Sequence, residues 1–226
     1  MTASLDLTGP SALPASGRPA RQLVVLLHGV GADGADLLEL APLLAEALPD
    51  AAFVAPDAPY PCDMAPFGRQ WFSLLDRSGP AMAAGLRAVA PLVDGFLDRQ
   101  LAERGLSDDS LALVGFSQGT MTALHVALRR ARRPAALVGF SGAILEPERL
   151  AGEIRSRPPV LLIHGDADEV VNPACLATAE AALAAVGVPV LAQMRPGLDH
   201  GIDGPGVTAA AAFLRQCFGL ESAVRE

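Results

Sequence analysis

The chain opens on a polar, small-residue stretch and then settles into a repeating pattern of apolar runs and amphipathic segments. Residues 9–21 are rich in Pro, Gly, Ser and Ala and predict an extended N-terminal segment, preceded by a short strand around Ser4–Thr8. The run Leu23–Leu27 is continuously apolar and ends in His28-Gly29, as a strand buried on both faces would. Leu37, Leu40, Leu44 and Leu48 then recur every three or four residues and predict a helix. A short strand at Ala52–Val54 is stopped by the proline-rich stretch Pro56–Pro61. Residues 56–79 show no period and predict a long loop, which contains Trp71.

Helix and strand alternate from there on. A helix over Pro80–Arg104 carries Pro91 as a kink point. Strand Leu111–Val114, helix Gln118–Arg130, strand Ala136–Phe140 and a weaker helix near Glu146–Arg155 follow. Strand Val160–His164, helix Pro173–Val186, strand Val188–Met194 and helix Gly204–Phe218 complete the pattern, leaving 219–226 as a tail. Continuously apolar strands alternating with helices predict an α/β fold, a doubly wound and mostly parallel sheet covered on both faces. No linker or repeat interrupts the 226 residues, so a single domain over 1–226 is expected.

Composition narrows the chemistry. Half of the chain, 51%, is hydrophobic, enough for a large core. The net charge of −8 argues against partners that need a basic surface, nucleic acid above all. All 17 basic residues are arginine. Without lysine there is no Walker-type phosphate lysine, no Schiff base and no Ser–Lys dyad. Cys62, Cys175 and Cys217 are scattered, with no zinc-like spacing, and predict reduced thiols and no metal. The N-terminus lacks the pattern of a signal peptide, and no apolar stretch is long enough to span a bilayer. A cytoplasmic protein without stable membrane insertion is the expectation.

Between the strand at 111–114 and its helix lies Gly115-Phe116-Ser117-Gln118-Gly119. This is the G-x-S-x-G nucleophile elbow in the strand–turn–helix setting it requires. The flanking glycines allow a turn tight enough to lift Ser117 Oγ above the carboxyl edge of the sheet, at the positive end of a helix.

Four histidines compete to be its base. His125 lies on the elbow's own helix, about 12 Å of rise away, and cannot reach Ser117. His28 and His164 each end a strand immediately before a glycine and are expected to shape loops. His200 sits in the loop after the last strand, at the elbow's edge of the sheet, and is the candidate base. The acid should follow the penultimate strand, in the order Ser…Asp…His. Asp166 and Asp168 both lie there, with Asp199 and Asp203 weaker competitors, and spacing does not choose between the first two.

The segments LLHGVGADGADLL, APDAPY, RQWFSL, GFSQG, HGDADEVV and LDHGI, in this order from Leu26 to Ile202, resemble the phospholipase/carboxylesterase family. That family includes bacterial carboxylesterases and is similar to acyl-protein thioesterases. The resemblance runs from about Leu5 to Phe218. It implies an α/β-hydrolase without a large cap domain, a serine hydrolase of ester or thioester bonds that needs no cofactor. It implies Asp168 as the acid, and backbone N–H groups of Val30 and Gln118 as the oxyanion hole. It likens Trp71 to an aromatic near the substrate, though an anchor for the loop fits that residue equally well. Small-molecule or lipid-like esters are the substrates it implies. It also makes a homodimer an expectation, with no residue pattern behind it.

Two rival readings remain. Gly29–Gly34 fits G-x-G-x-x-G after a strand, and Asp57 stands where a ribose-binding carboxylate could, as in a dinucleotide-dependent oxidoreductase. Asp33 and Asp36 would, however, oppose a pyrophosphate there. The other rival is a hydrolase-fold binding protein without activity.

Overall fold

The computed structural model describes residues 6–220. Strands β1 (Ser11–Ala12), β2 (Gln22–Leu27) and β3 (Ala51–Val54) are followed by the small strands β4 (Tyr60–Pro61) and β5 (Arg69–Gln70). Then come β6 (Leu111–Phe116), β7 (Ala136–Phe140), β8 (Val160–Gly165) and β9 (Val190–Arg195). The helices are α1 (Gly34–Leu38), α2 (Ala41–Ala45), α3 (Gly79–Arg104), α4 (Gln118–Arg129), α5 (Leu150–Glu153), α6 (Ala174–Ala185) and α7 (Gly204–Cys217). The main sheet has the order β1-β3-β2-β6-β7-β8-β9. Only β1 runs antiparallel to its neighbour, and β4 and β5 form a separate hairpin.

The central strands β2, β3, β6, β7 and β8 are almost wholly apolar because both faces of the sheet are covered there, whereas the edge strand β9 is partly exposed. On β2, Val24 and Leu26 pack with Leu37, Leu44, Leu48 and Leu214 on one side. Leu23, Val25 and Leu27 pack with Leu86, Val89, Leu97 and Leu124 on the other. Side chains alternate across a strand, so one six-residue run feeds two cores. Its parallel neighbours β6, β7 and β8 end at one edge of the sheet, which gathers the loops of interest there.

Three local expectations are corrected. The helix expected through Leu37–Leu48 is two short helices, with Pro42 in the first turn of α2. Proline lacks the N–H that a continuous helix would need, yet it suits a helix start. The 56–79 loop contains the β4–β5 hairpin. The first strand among the described residues is at Ser11–Ala12, and the described residues 6–8 of the expected strand are not in one. Pro10 and Thr8 carbonyls do run along the β3 edge, accepting from Ala55 and Asp57 N–H. The Ser4–Leu5 part of that expectation lies outside the described residues. By contrast, Pro91 leaves α3 unbroken. Among the described residues, no helix is long and apolar enough to cross a membrane.

Candidate active site

At the β6–α4 turn Ser117 adopts φ 53° and ψ −117°, a backbone conformation that side chains rarely accept. Its own N–H donates to the Phe140 carbonyl (2.9 Å), which locks the turn to β7. The two elbow glycines have a steric reason. A Cβ on Gly115 would lie 2.6 Å from the Gly119 backbone, and one on Gly119 would lie 1.8 Å from the Leu27 carbonyl oxygen. Strain is held here by the surrounding packing, as at many functional sites.

The loop after β9 brings His200 over the elbow. Its Nε2 lies 3.0 Å from Ser117 Oγ and its Nδ1 2.7 Å from Asp168 Oδ2. The imidazole also rests against the Phe116 ring, with centroids 4.9 Å apart. Nδ1–H donating to a carboxylate leaves Nε2 free to accept the serine proton. The Asp168 side chain is fully buried. Its Oδ1 accepts from Val170 and Val171 N–H, each at 2.8 Å. Burial alone would raise its pKa, but the bonds from His200, Val171 and Val170 outweigh that and hold it below the usual carboxylate value.

The competing acids have other tasks. Asp166 Oδ1 accepts from Gly197 N–H (2.6 Å), which ties down the loop leading to His200. Asp203 caps α7 at Gly206 N–H and pairs with Arg195. His125 is not brought to Ser117. It stays on α4, where burial lowers its pKa to about 4.

The loop after β2 lies against the elbow, so that a Cβ on Gly29 would be 3.4 Å from Ser117 Cβ. Val30 N–H and Gln118 N–H have no protein acceptor among the described residues. The loop carrying Val30 is held from several sides. Trp71 is completely buried and its indole N–H donates to the His28 carbonyl (2.8 Å). With no accessible surface, Trp71 presents no face to a ligand in this structure, and its contacts are those of the loop anchor.

Sequence reasoning missed the Gln118 side chain. Its Oε1 accepts from Trp71 N–H and its Nε2 donates to the Phe72 carbonyl, both at 2.8 Å. One amide therefore pins two successive backbone groups of the 56–79 loop beside Ser117. The only signal available was a large amide at a buried position next to the serine.

In the glycine loop two helix-start amides are already taken. Asp57 Oδ1 accepts from Gly34 N–H (2.9 Å) and Asp33 Oδ1 from Asp36 N–H (3.1 Å). The helix-start amides that would meet a pyrophosphate are thus already bonded to carboxylates.

Comparison with known proteins places the fold and the family. The family model for phospholipase/carboxylesterase matches residues 10–218. Esterase YpfH of Escherichia coli is 29% identical over 198 residues, covering 88% of this chain and 84% of its own. The crystal structure of esterase PE8 superposes with a TM-score of 0.90 at 44% identity, covering 94% of this chain and 99% of that one. Acyl-protein thioesterase 2 of Zea mays gives 0.76 at 26% identity, with 93% and 100% covered. The chain belongs to the phospholipase/carboxylesterase family of α/β-hydrolases and is an esterase-type hydrolytic enzyme.

Proposed function

We propose that this enzyme cleaves carboxylic esters, and thioesters by the same route, through an acyl-enzyme built on Ser117. The observation that carries the reading is His200, which reaches Ser117 Oγ with one ring nitrogen and Asp168 with the other. His200 takes the hydroxyl proton as Oγ attacks the carbonyl carbon. Asp168 fixes the tautomer of the ring and stabilises the imidazolium that forms. The tetrahedral oxyanion accepts from Val30 and Gln118 N–H, where a single donor is typically worth about 3 kcal/mol. Protonated His200 then gives its proton to the leaving alcohol or thiol as the C–O or C–S bond breaks. Water, deprotonated by His200, releases the acid and restores Ser117.

Ester and thioester substrates share the carbonyl, the oxyanion and the base, and differ only in the leaving atom. Similarity to an acyl-protein thioesterase supports including the thioester. The test is hydrolysis of p-nitrophenyl acetate, butyrate and octanoate, and of a matched thioester, by wild type and Ser117→Ala. Turnover abolished in a folded Ser117→Ala, with an acyl adduct on Ser117 in rapidly quenched wild type, is the expected result. Equal turnover by both proteins would overturn the reading.

A further inference from the structure

Asp168 has a polar neighbour that the proposed mechanism does not use. Besides His200, a second imidazole stands on the same carboxylate oxygen: His164 Nε2 lies 3.1 Å from Asp168 Oδ2. The same nitrogen lies 3.0 Å from the Val171 carbonyl oxygen. His164 closes β8, four residues before Asp168, and its ring is almost wholly buried. A ring nitrogen between two oxygen acceptors at that distance must carry a proton, because a lone pair there would face two others.

We propose that His164 is a positioning residue for the acid, in the Nε2–H tautomer, its proton shared between the Val171 carbonyl and Asp168 Oδ2. This rests on the catalytic reading of Ser117, His200 and Asp168 given above. With it, both Asp168 oxygens face N–H groups: Val170 and Val171 bond Oδ1, His200 bonds Oδ2, and His164 Nε2 lies 3.1 Å from Oδ2 while bonding the Val171 carbonyl. The carboxylate cannot rotate without breaking bonds on both sides. His164 also ties the Val171 carbonyl to the end of β8, so the turn that supplies the Oδ1 donors is braced by the same ring. The His200 ring inherits this rigidity through its 2.7 Å bond to Oδ2.

The experiment compares wild type with His164→Leu and His164→Gln. The glutamine amide can place an N–H near the position of the imidazole Nε2, whereas leucine cannot. His164→Leu is expected to lower kcat on p-nitrophenyl butyrate by roughly tenfold or more with KM little changed, since a small misplacement of the acid–base pair is costly. His164→Gln is expected to recover most of that loss. The proton between His200 and Asp168 should change its NMR resonance in the leucine variant. In wild type, long-range proton–nitrogen spectra should show His164 protonated on Nε2. Equal impairment of both variants with that resonance unmoved, or a fully active His164→Leu, would overturn the proposal. So would an Nδ1–H tautomer in wild type, a result that stands even if His164→Leu fails to fold. Failure of the triad reading is seen separately, as turnover that persists in Ser117→Ala with His164 unchanged.

Discussion

Of the three His-Gly pairs at the carboxyl edge of the sheet, the two at the ends of β2 and β8 hold their loops in opposite ways. His28-Gly29 follows β2 and His164-Gly165 ends β8, both histidines being fully buried. His28 Nδ1–H donates to the Gly29 carbonyl (2.7 Å), and its Nε2 accepts from Ala58 N–H (3.0 Å). His164 presents Nε2–H to two oxygens instead. The loop to be held decides the tautomer: residues 56–79 offer His28 an N–H, while the acid loop offers His164 a carbonyl and a carboxylate. The glycines differ too. A Cβ on Gly29 would meet side chains, the Phe116 ring at 3.0 Å and Ser117 Cβ at 3.4 Å, whereas one on Gly165 would lie 2.1 Å from the Leu198 carbonyl oxygen. One dipeptide thus serves the loop carrying Val30 at one place and the loops carrying Asp168 and His200 at another.

The largest effect that sharpens this contrast is Gly165→Ala. Backbone must move to admit the methyl, and the backbone in question leads directly to His200. We expect kcat/KM to fall by roughly a hundredfold or more, with overpacking costing about 1–3 kcal/mol in urea unfolding. Gly29→Ala meets a side chain that can tilt and should cost less on both measures. The contrast breaks if Gly29→Ala proves the more damaging.

Next is His28→Leu. The ring is the acceptor for Ala58 N–H, and leucine leaves that buried donor unpaired, at about 1–3 kcal/mol. Thermal unfolding should show this loss as large as, or larger than, that of His164→Leu, whose main effect is expected in kcat. Two variants with the same ratio of stability loss to kcat loss would erase the distinction between the two histidines.

How far these sites were legible follows from the same residues. Apolar runs gave the central strands because burial on both faces leaves almost no polar position there to confuse the period. Ser117, His200 and the Asp166/Asp168 pair were legible because a strand-end motif fixes position along the sheet edge. The choice of Asp168 came from resemblance alone; in the structure Asp166 accepts from Gly197 instead, a distinction made by loop closure across 31 residues. The split of α1 from α2 was missed because heptad-like leucines continue across Pro42 and outweigh it by eye. The Gln118 clamp and the paired role of His164 were illegible for a different reason: each bond joins segments whose approach no local pattern encodes.

Trp71→Phe tests the oxyanion side more gently. Phenylalanine keeps an aromatic ring but deletes the N–H that reaches the His28 carbonyl. An orphaned buried carbonyl and a smaller ring should together cost about 1–3 kcal/mol of stability. Because Trp71 has no accessible surface, KM for acetate, butyrate and octanoate esters should shift together rather than by chain length. A selective loss of the octanoate ester would mean that Trp71 reaches the acyl chain after all, in a state other than this one.

The smallest effect is in the pH dependence of stability, and it again separates the two histidines. Burial lowers the pKa of His28 from its ordinary 6.5, despite the opposing pull of the Gly29 carbonyl and of Asp57. The unfolded chain therefore takes up a proton near pH 6.5 while the folded chain does not. Stability contributed by neutral His28 is complete above that pH and is lost progressively as pH falls through 6.5 toward the folded value. His125, lowered to about 4, adds a loss of the same sign, so both proteins compared should carry His125→Gln. In that background His28→Gln retains an acceptor for Ala58 N–H but cannot titrate. Its urea midpoint should therefore fall less than that of the His28 protein between about pH 7 and pH 5. Parallel curves would show that His28 binds its proton equally well folded and unfolded. Its ring would then not be locked as the neutral Nδ1–H tautomer, and the opposition between the two His-Gly pairs would rest on geometry at His164 alone.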